Sequence, residues 1–164
     1  MKELEDFKKL VLDGKYLDAV KYLNDRYFDG DTSYELGVYD DAEGHHAKTR
    51  GTGDERAIIF NTLYLKRIIE DEEAIFAKII STLRHERVHI VQRADTNYED
   101  KSTKAEREFM AYSEELIPFE GLPPLSNKLW KKTYDKACKN FNAIESSIAE
   151  KYAERKALID SLRK

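Results

Sequence analysis

The chain has 164 residues, of which 41% are hydrophobic and 37% are charged. This length accommodates one domain, or one domain with an appendage, and excludes two large domains. The 28 basic and 32 acidic residues give a net charge of −4, which lacks the positive excess typical of nucleic-acid-binding proteins. Ten tyrosines and seven phenylalanines provide enough aromatic bulk for a core, so disorder of the whole chain is excluded.

The sequence predicts neither a membrane span nor a secretion signal. Its longest apolar run is the four residues Ala57 to Phe60, far short of the roughly 18 that a span requires. The first residues alternate in charge, and the single Cys138 cannot form an internal disulfide. We therefore expect cytoplasmic synthesis with no membrane or nucleic-acid partner, while export by a route without a cleavable signal stays open.

The first third is predicted to contain a helical hairpin and a small sheet. Apolar residues recur at helical spacing in two runs within residues 2–26, separated by Asp13-Gly14. Five of the seven glycines lie between Asp29 and Asn61, among short apolar pieces. This composition is typical of strands and turns, and we expect an antiparallel sheet.

The rest of the chain is predicted to form helices over roughly 73–95, 102–117 and 125–162. The acidic stretch Glu70–Glu73 is expected to cap the first of them. One helix over the last range would be about 57 Å long, which exceeds the width of such a domain. Either it breaks near Asn140–Asn142, or its end projects and pairs with a second copy in a homodimer. The predicted architecture is a single α+β domain with three parts: a hairpin (1–28), a core (29–120) and a C-terminal helical segment (121–164).

The segment His85-Glu86-x-x-His89 carries the HExxH pattern, which roughly 1% of shuffled chains of this composition would contain. On a helix the two imidazoles lie one turn apart on one face and can bind the same zinc ion. Glu86 lies beside them, where it can take a proton from a metal-bound water.

A helical wheel places His85, His89 and Gln92 opposite an apolar face. This arrangement permits a metal site on one side of the helix and a core contact on the other, although a solvated histidine pair would lie there too. Gln92 is expected to donate a hydrogen bond at the site or to orient a neighbour. The apolar face consists of Phe76, Ile79, Ile80, Leu83, Ile90 and Val91, with Arg87 as a discordant member.

A catalytic zinc ion needs a third protein ligand and an open position. The helix predicted over 102–117 offers Glu106 and Glu108. Residues two apart point about 200° away from each other on a helix, so only one of the two can face the metal. We favour Glu108, which lies nearer the apolar stripe of that helix; the alternative is that both glutamates belong to a solvated face.

These residues resemble the zincin metallopeptidases in which a glutamate is the third zinc ligand. The pattern Glu108-x-x-Ala111-Tyr112, some twenty residues after the HExxH motif, carries the resemblance together with the strand 57–61. The resemblance is greatest to the small metallopeptidase domains of bacterial polymorphic toxins and of phage or mobile-element proteins, with ImmA/IrrE-type peptidases as a cousin. It implies a zincin-like fold, one zinc ion per chain held by His85, His89 and Glu108, and Glu86 as general base.

The sequence departs from this family at Arg84 and Arg87, which flank the motif where small or apolar residues are commoner. Positive charge there opposes the binding of a cation unless an acid neutralises it.

The predicted function is hydrolysis of peptide bonds in a peptide or protein substrate. Tyr112 is a candidate donor to the developing oxyanion, and the strand 57–60 is a candidate edge to which an extended peptide could add. One alternative is a catalytically inert, zincin-like interaction or adaptor module that works through its helical surfaces. A structural zinc site is disfavoured because such sites use four ligands, often cysteines. His45 and His46 are interpreted as surface loop residues, and Cys138 as a small core residue.

Overall fold

A computed structural model describes residues 1–163; Lys164, the last residue of the predicted C-terminal segment, lies outside them. The described residues form an α+β structure with helices and one three-stranded sheet. Two 3₁₀ turns cover Lys66–Ile69 and Glu150–Tyr152. The strands are β1 (Glu35–Tyr39), β2 (Ala47–Thr52) and β3 (Glu55–Asn61), and the helices are α1 (Lys2–Leu12), α2 (Tyr16–Tyr27), α3 (Thr62–Leu65), α4 (Glu72–Arg93), α5 (Tyr98–Lys101), α6 (Lys104–Leu116), α7 (Asn127–Asn142), α8 (Ser146–Ala149) and α9 (Ala153–Leu162).

The predicted helical hairpin is confirmed. α1 and α2 are joined through Gly14, whose φ of +74° lies in the left-handed region that glycine adopts without steric cost. The apolar stripes of both helices are buried, with Phe7 and Leu23 fully inaccessible to solvent. The hairpin therefore covers one side of the core that α4 and the sheet build.

The sheet is mixed, and the prediction of an antiparallel sheet is wrong for one of its two pairings. The strand order is β1-β3-β2, with β2 antiparallel and β1 parallel to β3. The loop 40–46 carries the chain across the end of β3, where the side-chain amide of Asn61 donates to Asp41 O at 2.7 Å and to His45 O at 3.3 Å. Glycine positions locate turns but do not determine which strands pair, so this crossover had no signal in the composition.

β3 is the central strand, and this corrects the prediction that residues 57–60 form an edge. β1 and β2 are the edge strands, and β2 lies along α4. The backbone of Gly53, in the turn after β2, donates to Arg93 O at 2.8 Å. Gly51 is required in this hairpin because a Cβ there would lie 1.7 Å from Glu55 O.

α4 begins where the acidic stretch predicted it, since the side chain of Asp71 accepts a hydrogen bond from the backbone of Ala74. Five members of its predicted apolar face are buried. The sixth, Val91, is 75% exposed, because the last turns of α4 extend past the core and border an open cleft.

The predicted C-terminal helix is broken, which confirms the alternative of a break near Asn140–Asn142. α7 ends at Asn142, and the chain turns at Ile144 before α8 and α9. Ile159 in α9 is fully buried, so the end of the segment folds back and does not project. The homodimer was predicted from a projecting C-terminal helix, which the structure does not have among residues 1–163. It stays a prediction. None of the helices in residues 1–163 combines the length and apolar character needed to cross a membrane.

The buried apolar side chains form two clusters. The first contains residues of α1, α2, the sheet and α4, and the second contains residues of α6, α7 and the segment through α9. The boundary between α4 and α6 is lined by polar and charged side chains that bond across it. We call this boundary the polar seam. α6 therefore packs in the second of these clusters, together with α7 and the segment through α9.

Candidate metal centre

Three potential metal ligands converge on the polar seam. His85 and His89 project from α4, and Glu108 projects from α6. The Nε2 atoms of the two imidazoles are 3.2 Å apart. Glu108 Oε1 lies 3.1 Å from His89 Nε2, and Glu108 Oε2 lies 3.5 Å from His85 Nε2. The structure thus places together the three residues that the sequence nominated as ligands.

The spacing of these atoms fits a small divalent cation. Ligands bound tetrahedrally to zinc at 2.0–2.2 Å are about 3.3–3.6 Å from one another. The three separations here lie between 3.1 and 3.5 Å. Two imidazoles and one carboxylate are donors that zinc accepts, and the Glu108 side chain is 23% exposed, so the cluster is reachable from solvent. The residues present therefore fit the ion that the motif implies.

Each imidazole is oriented by a partner on its other nitrogen. His89 Nδ1 lies 2.8 Å from Gln92 Oε1, and the amide nitrogen of Gln92 donates to Arg107 O at 3.2 Å. The latter bond fixes which end of the amide faces His89. Gln92 thus orients a neighbour, one of the two roles predicted for it, and leaves Nε2 directed at the cluster.

The partner of His85 is Glu115, whose Oε2 lies 2.9 Å from His85 Nδ1. Glu115 is buried, and its other oxygen accepts hydrogen bonds from Ser81 at 2.7 Å and from Lys78 at 3.0 Å. The hydrogen bond from Glu115 fixes the orientation of the His85 ring and raises the basicity of its other nitrogen.

The carboxylates also change the pKa values of the cluster. Burial alone would lower the pKa of His85, but hydrogen bonds to Glu108 and Glu115 outweigh it and raise the pKa to about 9. Burial raises the pKa of Glu115, whereas His85 and Lys78 together lower it to about 2. The pKa of Glu108 is likewise lowered, because its bonds to both histidines exceed the effect of burial. The metal-free cluster therefore holds a proton that a cation would replace.

Glu106, the other candidate ligand, serves a different purpose. It occupies the third position of a capping box, in which Glu106 and Thr103 exchange side-chain-to-backbone hydrogen bonds. Its second oxygen accepts a bond of 2.7 Å from the hydroxyl of Tyr152. The capping box and Tyr152 thus hold Glu106 away from the cluster, whereas Glu108, two residues later, points in nearly the opposite direction and faces α4.

The two arginines that flank the motif point away from the cluster and are neutralised. Arg84 pairs with Glu114 at 3.0 Å, and Arg87 pairs with Asp31 at 3.1 Å. The guanidinium of Arg87 also lies over the ring of Phe28. The acids that the sequence argument required are present, and the positive charge does not face the cluster.

Glu86 and Tyr112 border the same centre. Glu86 is buried, and its Oε2 accepts a hydrogen bond of 2.7 Å from Thr49 on β2. The ring of Tyr112 packs edge-on against His85, with 4.6 Å between centroids. Burial and nearby carboxylates raise the pKa of Tyr112 to about 12, so its phenol stays protonated at neutral pH. Within residues 1–163 this hydroxyl makes no hydrogen bond, which leaves it free to donate.

Three residues set aside by the sequence argument do not join the cluster. His45 and His46 are exposed, as predicted, although the ring of His46 stacks on Tyr64 at 4.0 Å. Cys138 is only partly buried and packs at the margin of the second apolar cluster.

Sequence reasoning missed Glu115, Ser81 and Thr49. Glu115 had a signal, because it follows Glu108 by seven residues and therefore lies two turns along the same face of α6. Ser81 precedes His85 by one turn in the same way. Thr49 had none, since its contact with Glu86 depends on how β2 lies along α4.

Known proteins provide no independent identification of this centre. No protein-family profile, no curated protein and no solved structure matches the chain.

Proposed function

We propose that the protein is a zinc-dependent metallopeptidase in which His85, His89 and Glu108 hold the ion and Glu86 is the general base. The observation that carries this proposal is the convergence of the three donor atoms at 3.1 to 3.5 Å from one another. The zincin-like character of the fold is part of the same proposal, since it rests on the motif and its neighbouring elements.

The hydrogen bonding of Glu86 supports a role in proton transfer. Thr49 donates to one carboxylate oxygen, which leaves the other free to accept a proton from the attacking water. A bound zinc ion would polarise the scissile carbonyl and acidify water at neutral pH. Glu86 then passes the proton to the leaving amine, which completes peptide-bond cleavage.

Tyr112 is proposed as a donor to the oxyanion. Because its pKa is raised to about 12, the phenol retains the proton that such a donor needs. Its packing against His85 restricts the ring to the border of the cluster.

A peptide substrate is favoured by the position of β2. This strand has a free edge, and its residue Thr49 contacts Glu86 directly. An extended peptide that adds to β2 would run past the general base, which positions a peptide bond for attack. β3, paired on both sides, cannot accept such a strand.

The test compares wild-type protein with Glu86→Gln after loading with zinc. Cleavage of a peptide mixture, read by mass spectrometry, should fall at least about 100-fold in Glu86→Gln while zinc content stays at one ion per chain. Glu73→Gln, an exposed change in the first turn of the same helix, is the matched control and should cleave normally. Equal cleavage by Glu86→Gln would contradict the mechanism. Absence of cleavage by zinc-loaded wild type would favour the inert interaction module.

A further inference from the structure

A second site candidate is a cavity of about 540 Å³ next to the polar seam. It is bounded by α4, α7, the ends of α6 and α9, and the segment 117–125. Its volume lies within the range of roughly 300–1,000 Å³ typical of small-molecule sites. The lining is mainly apolar and aromatic, and it includes Leu116, Phe119, Leu122, Trp130, Tyr134 and Leu162.

The aromatic wall of this cavity is ordered by packing and hydrogen bonding. The rings of Trp130 and Tyr134 stack with 5.4 Å between centroids and 13° between planes. The indole nitrogen of Trp130 donates to Leu116 O at 3.3 Å. The wall is therefore a preformed apolar surface on which a flat or extended hydrocarbon can pack without reorganisation of the protein.

The charges around the cavity favour an anion. Lys131 and Arg163 line it, and neither forms an ion pair within residues 1–163; the nearby carboxylate of Asp160 is paired with Lys156. The guanidinium of Arg163 lies 5.4 Å from the ring centroid of Tyr134. Asp135 is the one lining acid without an ion pair among the described residues, since Glu115 is paired with Lys78. The unpaired charges thus sum to one positive charge beside an apolar wall.

We propose that this cavity binds a small apolar molecule that carries a single carboxylate. The hydrocarbon part would pack on Trp130 and Tyr134, and the carboxylate would lie near Lys131 and Arg163. The lining shares no residue with the three proposed metal ligands, so this binding does not depend on the proposed peptidase activity.

Trp130 is the only tryptophan of the chain, so its fluorescence reports on this cavity directly. Decanoate, titrated into the full-length protein below its micelle concentration, should change the Trp130 emission saturably. Decanol and decylammonium, which have the same chain length, should bind at least about fivefold more weakly because they lack the negative charge. No saturable change with decanoate, or equal binding of decylammonium, would overturn the proposal.

Variants separate the site from nonspecific association. Lys131→Glu and the milder Lys131→Gln should weaken decanoate binding by about tenfold and about threefold. Lys139→Glu, the same change on the same helix outside the cavity, should bind as wild type does. His89→Ala, which removes a proposed metal ligand, should also bind decanoate normally. The decanoate test therefore remains valid even if the protein binds no zinc. Equal affinity of Lys131→Glu and Lys139→Glu would refute the assignment.

Discussion

Zinc uptake by this protein should release a proton and depend strongly on pH. The pKa of His85 is raised from 6.5 to about 9 by Glu108 and Glu115, so the metal-free imidazole is protonated at pH 7. A zinc ligand must be deprotonated, and binding at pH 7 therefore displaces this proton. Well below the pKa of 9, each pH unit weakens zinc binding about tenfold. Because His85 is still half protonated at pH 9, affinity should rise about 50-fold, or about 2.3 kcal/mol, between pH 7 and pH 9.

Isothermal titration calorimetry in two buffers of different ionisation enthalpy measures this proton count. We expect His85 to contribute about one released proton per zinc ion at pH 7, and this contribution should fall toward zero above pH 9. Glu115→Gln should shift the profile toward lower pH, because it removes one of the two carboxylates that raise the pKa of His85. Glu114→Gln, the adjacent residue, is the control, since Glu114 pairs with Arg84 and Arg155. A flat affinity between pH 7 and pH 9, with no proton released, would refute this account of His85.

Three further outcomes are expected. Glu108→Ala should lose zinc, as elemental analysis would show. Glu106→Ala should retain zinc, but loss of the capping box should lower its free energy of unfolding, measured with urea, by about 1–2 kcal/mol. The reverse pattern would contradict the assignment of Glu108 as the ligand and Glu106 as the capping residue. Thr49→Val should reduce turnover roughly tenfold with unchanged zinc content, because Glu86 loses its orienting donor; unchanged turnover would count against that role. In metal-free protein, the raised pKa of His85 stabilises the fold by up to about 3 kcal/mol. This stabilisation is complete below about pH 6.5 and is lost as the pH rises through 9. Chemical denaturation should therefore give a higher free energy of unfolding at pH 6 than at pH 10.

Local patterns were sufficient to predict the long helices and the convergence of His85, His89 and Glu108. The spacing of His85 and His89 fixes their common face, and the apolar stripe of α6 indicates that Glu108, not Glu106, faces them. Both features depend on residues a few positions apart. Helical periodicity therefore carried most of the information about the site.

Long-range pairings account for most of the errors and omissions. The parallel pairing of β1 with β3 depends on a loop that crosses the sheet at Asn61, and the contact of Thr49 with Glu86 depends on how β2 lies on α4. Val91 fits the apolar stripe of α4 but extends beyond the core. Periodicity identifies the face of a helix, but it does not determine how far the neighbouring elements cover it.

The polar seam separates two apolar clusters that we expect to unfold independently of each other. The two apolar clusters are separate, so we expect the segment from α6 to α9 to unfold as its own cooperative unit in metal-free protein. A cation shared by His85, His89 and Glu108 would link this segment to α4 across the polar seam. Amide hydrogen exchange in α6 and α7 should then slow by a factor that follows zinc concentration, while exchange in α1 and α2 changes little. The three ligands would then couple the stability of two folding units in addition to their proposed catalytic role.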